Sequence, residues 1–206
     1  MLIAQVGKES SERKMHETSK AQKRREKETD FPWPEIFKGR GLDVGSGDDP
    51  LLIAGCEPFD LPDGGGDDIT QFVDGKFDYI HGSQVLEHAI SPVTMIRTWL
   101  EVLNPKGYIV ATIPDWALYE KRIWRSQWNN GHNWAWTLSQ YELGDERAAG
   151  VPLVYVPQFL ENFDAKVLVS RLIDTNYDYS LSPSVDQTLD PDKGVEAFIE
   201  FVLKKP

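Results

Sequence analysis

The chain has 206 residues, of which 40% are hydrophobic and 11% aromatic, and it contains one cysteine. This length can bury one substantial core, which predicts a single domain, and a lone cysteine excludes an intrachain disulfide and a cysteine-cluster zinc site. The formal net charge of −11 disfavours nucleic acid as a partner, because neutralisation of phosphates dominates that affinity.

The first 30 residues form a charged segment, which we expect to be a helical arm. Residues 1–29 contain eight Lys/Arg and five Glu, a net of +3, so the remaining residues sum to −14. The run 8–28 has good helix formers and almost no apolar stripe, which predicts a solvated or partly disordered helix. The functional alternatives are a flap over the mouth of a binding pocket and a docking arm for a protein partner.

The globular domain is expected to span residues 31–206. Pro32 and Pro34 break the leading helix, because proline cannot continue a helix interior and restricts the residue before it. No apolar run approaches the roughly 20 residues of a membrane span, and residues 1–6 are too short for the apolar region of a signal peptide. We therefore expect a cytoplasmic protein.

A glycine turn follows the first predicted strand, residues 41–45. The turn is Gly45-Ser46-Gly47, where the backbone can approach a bound ligand closely. Asp43 places a carboxylate beside this turn, and a second acid, Asp60, ends the next predicted strand, about 57–60. Two acids at adjacent strand tips suit a ligand with a ribose and an amine-bearing tail.

The turn departs from a dinucleotide-binding fingerprint. The third glycine is missing, and Asp49 and Pro50 stand where a phosphate-binding helix should begin. Acidic side chains there would repel a pyrophosphate, which points away from NAD.

The remaining elements predict a doubly wound sheet in which one strand is short or missing. Residues 61–74 are rich in glycine and acids, so a third strand must be short or missing. Strands are predicted at 77–82 and 108–113, and apolar residues at helical spacing between them predict a crossover helix over 92–103. A helix at 157–163 and strands at 166–175 and 195–204 complete the chain, and the last two predict an antiparallel pair.

Two segments carry a family resemblance: Phe77–His88 with Pro92 behind it, and Leu100–Asp115. With the glycine turn they resemble the class I S-adenosylmethionine-dependent methyltransferases of the type 11-like group, in which a strand ends in a Leu-Glu-His turn and a helix, a proline-glycine turn and another strand follow. The resemblance covers roughly residues 39–115. It implies an S-adenosylmethionine-dependent enzyme with a Rossmann-like, mostly parallel seven-stranded sheet and a C-terminal antiparallel strand pair.

The resemblance also implies roles at the cofactor. The glycines pass its methionine portion, Asp60 accepts the ribose hydroxyls, and Asp68 with Ile69 surrounds the adenine, although Asp67 is a rival for Asp68. The cofactor-binding residues implied in this way are Asp43, Gly45, Ser46, Gly47, Asp60, Leu61, Asp68, Ile69, Ser83 and Gln84.

Two histidines are candidate catalytic bases, because transfer to a hydroxyl needs a proton acceptor. His88 closes the Leu-Glu-His turn, where a structural role is the alternative, and His132 lies in an aromatic-rich insertion over residues 116–156. The insertion is either a satellite core or a lid that holds the acceptor. Its candidate acceptor contacts are Trp116, Tyr119 and Trp134. No metal site is expected.

The predicted function is methylation of a small-molecule or glycan acceptor on oxygen. One alternative is a catalytically silent methyltransferase-like module that acts as an interaction protein through its N-terminal arm. The other is a nucleotide-sugar or NAD-dependent oxidoreductase, which the missing third glycine and the terminal strand pair disfavour.

Overall fold

The computed structural model describes residues 16–60, 67–190 and 192–206. Its strands are β1 (Gly41–Val44), β2 (Cys56–Phe59), β3 (Phe77–Ser83), β4 (Leu103–Pro114), β5 (Ala135–Thr137), β6 (Leu153–Tyr155), β7 (Lys166–Ile173) and β8 (Phe198–Lys204). Its α-helices are α1 (Glu17–Arg25), α2 (Trp33–Ile36), α3 (Pro92–Val102) and α4 (Val156–Leu160). Among these described residues no helix is long and apolar enough to cross a membrane.

The main sheet has six strands in the order β2-β1-β3-β4-β8-β7. Strands β2, β1, β3 and β4 are parallel, and β8 runs antiparallel to both of its neighbours, as the terminal strand pair predicts. The expected count of seven strands is wrong. The described part of the chain between β2 and β3 forms only a 3-10 turn at Ile69–Gln71, because Asp67, Asp68, Asp74 and Gly75 leave too few apolar residues for a buried strand.

The two faces of the sheet alternate with the strand period of two, and each face packs against helices. The helix α3 covers one face and buries Ile96 and Trp99, while α2 covers the other and buries Trp33 and Ile36. The sheet residues on the α3 face include Ile80, Ile109 and Leu203, and those on the α2 face include Tyr79, Val110 and Val202.

Helix α1 packs against the sheet, so the prediction of a solvated helix is wrong for this segment. Its buried residues are Thr18, Lys20, Ala21 and Arg25. Arg24 Nη2 and Arg25 Nε each lie 2.8 Å from Oε2 of Glu200, a fully buried acid on β8. The buried face of α1 thus combines Thr18 and Ala21 with the charged side chains Lys20 and Arg25. An apolar stripe is therefore absent from its sequence.

Candidate active site

The glycine turn closes against the tip of β2. Gly45 has φ +69° and Gly47 has φ +50°, which is the left-handed region that glycine adopts without strain. The amide of Gly45 donates to the carbonyl of Phe59, and the amide of Gly47 donates to Oδ1 of Asp60 at 3.2 Å. The tips of β1 and β2 therefore meet, and Asp60 is exposed beside the turn.

Asp49, which stands where the dinucleotide fingerprint has a helix start, connects α1 to the glycine turn by hydrogen bonds. Asp49 is buried, its Oδ2 accepts from the amide of Ser19 at 2.9 Å, and its Oδ1 accepts from the hydroxyl of the same serine. At the neighbouring position Asp48 lies 3.7 Å from Nε2 of His16. The two acids after the turn thus bind the start of α1, which brings that helix over the cavity.

Asp43 does not face a ligand cavity, so its expected position near an ammonium group is wrong. Its side chain is 1% exposed, Oδ2 accepts from the amide of Leu51 at 2.6 Å, and Oδ1 lies 2.6 Å from Nδ1 of His81. Nε2 of His81 lies 3.1 Å from Nη1 of Arg25. A guanidinium only donates, so His81 accepts at Nε2 and donates from Nδ1 to Asp43. The carboxylate is thereby committed to an internal network.

Two adjoining cavities lie at the carboxyl ends of β1 and β3, and Gly45, Gln84 and His88 border both of them. The larger has a volume of about 740 Å³, and the smaller, of about 370 Å³, is mostly apolar. Besides the shared residues, the larger cavity is lined by Ser46, Gly47, Ser83, Glu87, Tyr119, Asn129, His132, residues of α1 and the segment 186–189. The smaller is lined by Val44, Asp67, Val85, Ala89, Ile90 and Met95.

Of the residues expected at an adenine, the smaller cavity contains Asp67 rather than Asp68 and Ile69. Asp68 accepts from the amide of Thr70 and so caps the 3-10 turn, and Ile69 is fully buried in the core. Asp67 accepts from the amides of Ile90 and Ser91. Leu61, expected beside the ribose, lies outside the described residues.

The tip of β3 presents two polar side chains to the larger cavity. The hydroxyl of Ser83 accepts from the Thr112 hydroxyl at 3.0 Å. Gln84 has φ +57°, a costly conformation for a residue with a side chain. Among the described residues, the buried Nε2 of Gln84 has no hydrogen-bond partner, so an amide donor is available at the cavity wall.

A turn after β4 carries Tyr119 to the same cavity and places the buried Glu120 behind it, against His132. Oδ1 of Asp115 accepts from the amides of Ala117 and Leu118, which turns the chain at the end of the strand. Burial raises the pKa of Asp115 to about 6, although these amides lower it. The sequence gives no local signal for a role of Glu120, because its hydrogen-bond partner, His132, lies 12 positions further along the chain.

The segment containing His132 is docked on the Leu-Glu-His turn. The carbonyl of Glu87 accepts from the amides of Asn133 and Trp134, and Nε1 of Trp134 donates to the carbonyl of Ala89 at 2.8 Å. These bonds bring His132 beside Glu87 and His88 although 44 positions separate the two histidines. The pairing of the two candidate bases is therefore a product of the fold.

The Glu87–His88–His132 cluster places two imidazoles and a carboxylate at one end of the larger cavity. The two rings are edge to face with centroids 4.9 Å apart. Oε1 of Glu87 lies 3.9 Å from Nε2 of His88 and 4.0 Å from Nε2 of His132. Glu87 is fully buried and His132 is 3% exposed, whereas 40% of the His88 side chain is exposed.

Both histidines have a defined tautomer. Nδ1 of His88 lies 3.1 Å from the carbonyl of Gly131, which only accepts, and Nδ1 of His132 lies 2.6 Å from Oε1 of Glu120. Burial and the neighbouring His132 lower the pKa of His88, so it is neutral at pH 7. Burial raises the pKa of Glu87 well above its usual range, with a smaller contribution from Glu120.

The aromatic insertion divides between core and cavity wall. Trp116 and Trp136 are fully buried, so the expectation that Trp116 contacts an acceptor is wrong because its ring has no exposed face. Trp134 packs against the main core and is held by its bond to Ala89. Tyr119 lines the larger cavity, and its contact with an acceptor stays a prediction. Closure of this segment over an acceptor stays a prediction.

A family model described as a methyltransferase domain matches residues 11–145, more than half of the chain. Among proteins of curated function, none matches the sequence. A solved structure of a putative methyltransferase from Bacillus halodurans C-125 is similar at 12% identity and a TM-score of 0.51, covering 84% of this chain and 96% of that one. A methyltransferase from Mesorhizobium loti has 16% identity and a TM-score of 0.47, with coverages of 84% and 93%.

The fold and the glycine-turn cavity define a methyltransferase of the Rossmann-like class. The chain belongs to the class I S-adenosylmethionine-dependent methyltransferases, and its cofactor is S-adenosylmethionine. The alternative of an NAD-dependent oxidoreductase is therefore wrong. The residues present fit the cofactor. A Cβ atom at Gly47 would have no neighbouring atom within 4 Å, so a ligand can lie against this backbone. The buried amide nitrogen of Gln84 has no hydrogen-bond partner among the described residues and can donate to that ligand.

Proposed function

We propose that this enzyme methylates a hydroxyl oxygen of a small-molecule or glycan acceptor. The observation that carries this proposal is the Glu87–His88–His132 cluster, which lies in the same cavity as the glycine turn. A group that must lose a proton is best placed beside this cluster, because Nδ1 of each imidazole has a hydrogen-bond acceptor, which leaves each Nε2 to accept a proton. The buried polar groups also suit a polar acceptor better than an apolar one.

The two cavities suit different portions of the ligands. The smaller, apolar one fits the adenine ring, with Met95 and Val85 covering its faces. The larger one then receives the methionine portion beside Gly47 and Gln84, and the acceptor beside Tyr119 and His132. In this arrangement Asp60 remains the candidate partner of the ribose, since it borders the turn at the tip of β2.

The chain's own contribution to the reaction is orientation and removal of a proton. When bound, S-adenosylmethionine supplies a methyl group that passes to the acceptor oxygen, while the C–S electron pair stays on sulphur and the hydroxyl proton is lost. Holding the acceptor in line is worth several orders of magnitude in rate. The Nε2 lone pairs can accept the proton directly, or they can hold a cation that acidifies the hydroxyl.

Incubation with methyl-labelled cofactor and a fractionated metabolite extract tests the proposal. We expect label in a fraction of small polar compounds, in a bond that resists mild base as an ether does. Label that appears on nitrogen would contradict the choice of oxygen. Unlabelled fractions throughout, with S-adenosylhomocysteine still bound, would instead favour the catalytically silent module.

Substitution of the histidines tests the place of the acceptor. We expect His88→Ala and His132→Ala each to lower turnover by about 10²- to 10⁴-fold, since each removes a group that promotes proton loss. Affinity for S-adenosylhomocysteine, measured by calorimetry, should stay within about twofold of the parent. Full turnover in both variants would move the acceptor away from this wall.

A further inference from the structure

Three side chains in the cluster turn hydrogen-bond acceptors toward one another. One carboxylate oxygen of Glu87 and one ring nitrogen each of His88 and His132 all lie within 4.8 Å of one another. The distances of 3.9 and 4.0 Å from Glu87 to the two Nε2 atoms are too long for direct hydrogen bonds. The space between these atoms therefore suits a positively charged occupant.

The outer nitrogen of each ring is held in the way typical of a metal ligand. Nδ1 of His88 donates to a backbone carbonyl, that of Gly131, and Nδ1 of His132 donates to the carboxylate of Glu120. Such partners fix the ring orientation and make the inner nitrogen a better ligand. His88 Nε2 has one further neighbour, Nδ2 of Asn129 at 3.5 Å, which lies at the limit of a hydrogen bond.

Glu87 gives an independent reason for a cation. Its carboxylate is fully buried, and neither oxygen has a hydrogen-bond partner among the described residues. A carboxyl group buried without partners destabilises the fold, and a coordinated ion supplies the partner that it lacks. A metal ion about 2.0 to 2.2 Å from each ligand atom reaches all three after a small inward movement of the side chains.

We propose that the Glu87–His88–His132 cluster binds one divalent first-row transition metal ion. Two imidazoles and a carboxylate favour such an ion over Mg²⁺ or Ca²⁺, which prefer all-oxygen ligands. The exposed side of His88 faces the cavity and leaves a position for an acceptor oxygen. Binding of the ion is independent of the proposed function, whereas its role in holding and acidifying the acceptor hydroxyl rests on that function.

Titration of the full chain with Co²⁺ tests the site, because visible absorption of Co²⁺ reports nitrogen ligation. The protein is prepared without a histidine tag, treated with chelator and desalted. We expect one equivalent of Co²⁺ to bind, Zn²⁺ to displace it, and a large excess of Mg²⁺ to leave the spectrum unchanged. Absence of stoichiometric Co²⁺ binding by the parent protein would overturn the proposal without any variant.

Variants locate the bound ion. His88→Ala and His132→Ala should each weaken Co²⁺ binding by about 100-fold or more, since each removes a ligand, and Glu87→Gln should weaken it as well. His16→Ala is the matched control, because His16 lies at the mouth of the same cavity beside Asp48 but outside the cluster. His88 is partly exposed, so its truncation is expected to leave the fold intact, which circular dichroism checks.

The outcomes of these titrations separate this proposal from the methyl-transfer proposal. Loss of Co²⁺ binding in the cluster variants, with retained binding in His16→Ala, supports the site. Binding that survives in both histidine variants, or that is lost in His16→Ala, overturns it. If the parent binds S-adenosylhomocysteine but not Co²⁺, the metal site alone fails, and stoichiometric Co²⁺ binding without methylation of any acceptor supports the site while contradicting the proposed function.

Discussion

Gly45 and Gly47 need the same backbone conformation but differ in their surroundings. A Cβ at Gly45 would lie 2.3 Å from Cγ2 of Val85, whereas a Cβ at Gly47 would meet nothing within 4 Å. The requirement at Gly45 is therefore both conformational and steric. At Gly47 the requirement is conformational alone, and we expect the cofactor to lie against this open stretch of backbone.

We expect Gly45→Ala to damage the folded enzyme more than Gly47→Ala does. Both substitutions place alanine in the left-handed region at a cost of about 1 to 2 kcal/mol, and only the first also displaces Val85 from the wall of the smaller cavity. Gly47→Ala should lower the melting temperature slightly and reduce affinity for S-adenosylhomocysteine. Equal losses of stability in the two variants would contradict the steric argument.

At this scale the sequence predicts a residue's place better than its partners. The glycine turn and the meeting of Asp60 with that turn follow from strand tips that share one edge of a sheet. Asp43 is different, because its role depends on His81 from β3 and Arg25 from α1, which no local pattern connects to it. Sequence reasoning missed Glu87 and Glu120 as site residues for the same reason, since their contacts with His132 are made only in the fold.

Helix α1 is fixed at both ends, and it forms part of the cavity wall. Its first turn is bound to Asp49 through Ser19, and its last turn is bound to Glu200 through Arg24 and Arg25. Because Glu17 and Lys20 line the larger cavity, the position of this helix sets the width of the mouth. A flap role for the charged N-terminal segment stays a prediction, as does the alternative of a docking arm for a partner.

Ser19→Ala tests this role of α1. The substitution removes the hydroxyl that donates to the buried carboxylate of Asp49, which should destabilise the docked helix by about 1 to 2 kcal/mol. We expect weaker binding of S-adenosylhomocysteine and faster proteolysis within α1. Thr29→Ala, at an exposed position just after the helix, is the matched control. Unchanged proteolysis and affinity in Ser19→Ala would remove the flap from this account.

A substitution at Trp134 distinguishes a packing role of the aromatic insertion from a role as a mobile lid. The Trp134 ring packs against the main core and its Nε1 donates to the carbonyl of Ala89, so we expect Trp134→Ala to lower the free energy of unfolding by about 3 kcal/mol. Chemical denaturation measures this loss. A variant with the parent's stability and a raised KM for the acceptor would show instead that the ring is part of a lid.

The elements whose burial is apolar were predictable, and those held by charge were not. Strands β1 and β3 and the helix α3 agree with their predicted ranges within one or two residues, because hydrophobic periodicity determines them. Helix α1 lacks this signal, since its buried face consists mostly of polar and charged groups. Among the described residues the sheet has six strands, because residues 67–76 contain too few apolar side chains for a seventh.

Over the whole molecule, ion pairs link the N-terminal helix to the edge of the sheet. Arg24 and Arg25 of α1 and Arg171 of β7 converge on Glu200. Burial alone would raise the pKa of Glu200, but Arg25 and Arg24 outweigh it and lower the pKa to about 2. Its contribution to stability is therefore complete above pH 4.5 and is lost as the pH falls toward 2.

Glu17 gives the free energy of unfolding the opposite pH dependence, at higher pH. Burial raises its pKa to about 7; Lys20 lowers it, and Glu196 and Asp186 raise it further. The native state thus holds an extra proton, and stability falls as the pH rises from about 4.5 through 7. We expect Glu17→Gln to be about 1 to 2 kcal/mol more stable than the parent at pH 8.5 and equally stable near pH 5. Urea unfolding at both values measures this, and a less stable variant at pH 8.5 would contradict it.

The central claim is that the cofactor and the acceptor share the cavity between the glycine turn and the Glu87–His88–His132 cluster. A crystal structure of the complex with S-adenosylhomocysteine is the most direct test. The account predicts adenine in the smaller cavity, the methionine portion beside Gly47 and Gln84, and the sulphur atom facing the cluster. A sulphur atom that points away from Glu87, His88 and His132, or a ligand bound outside these two cavities, would contradict it.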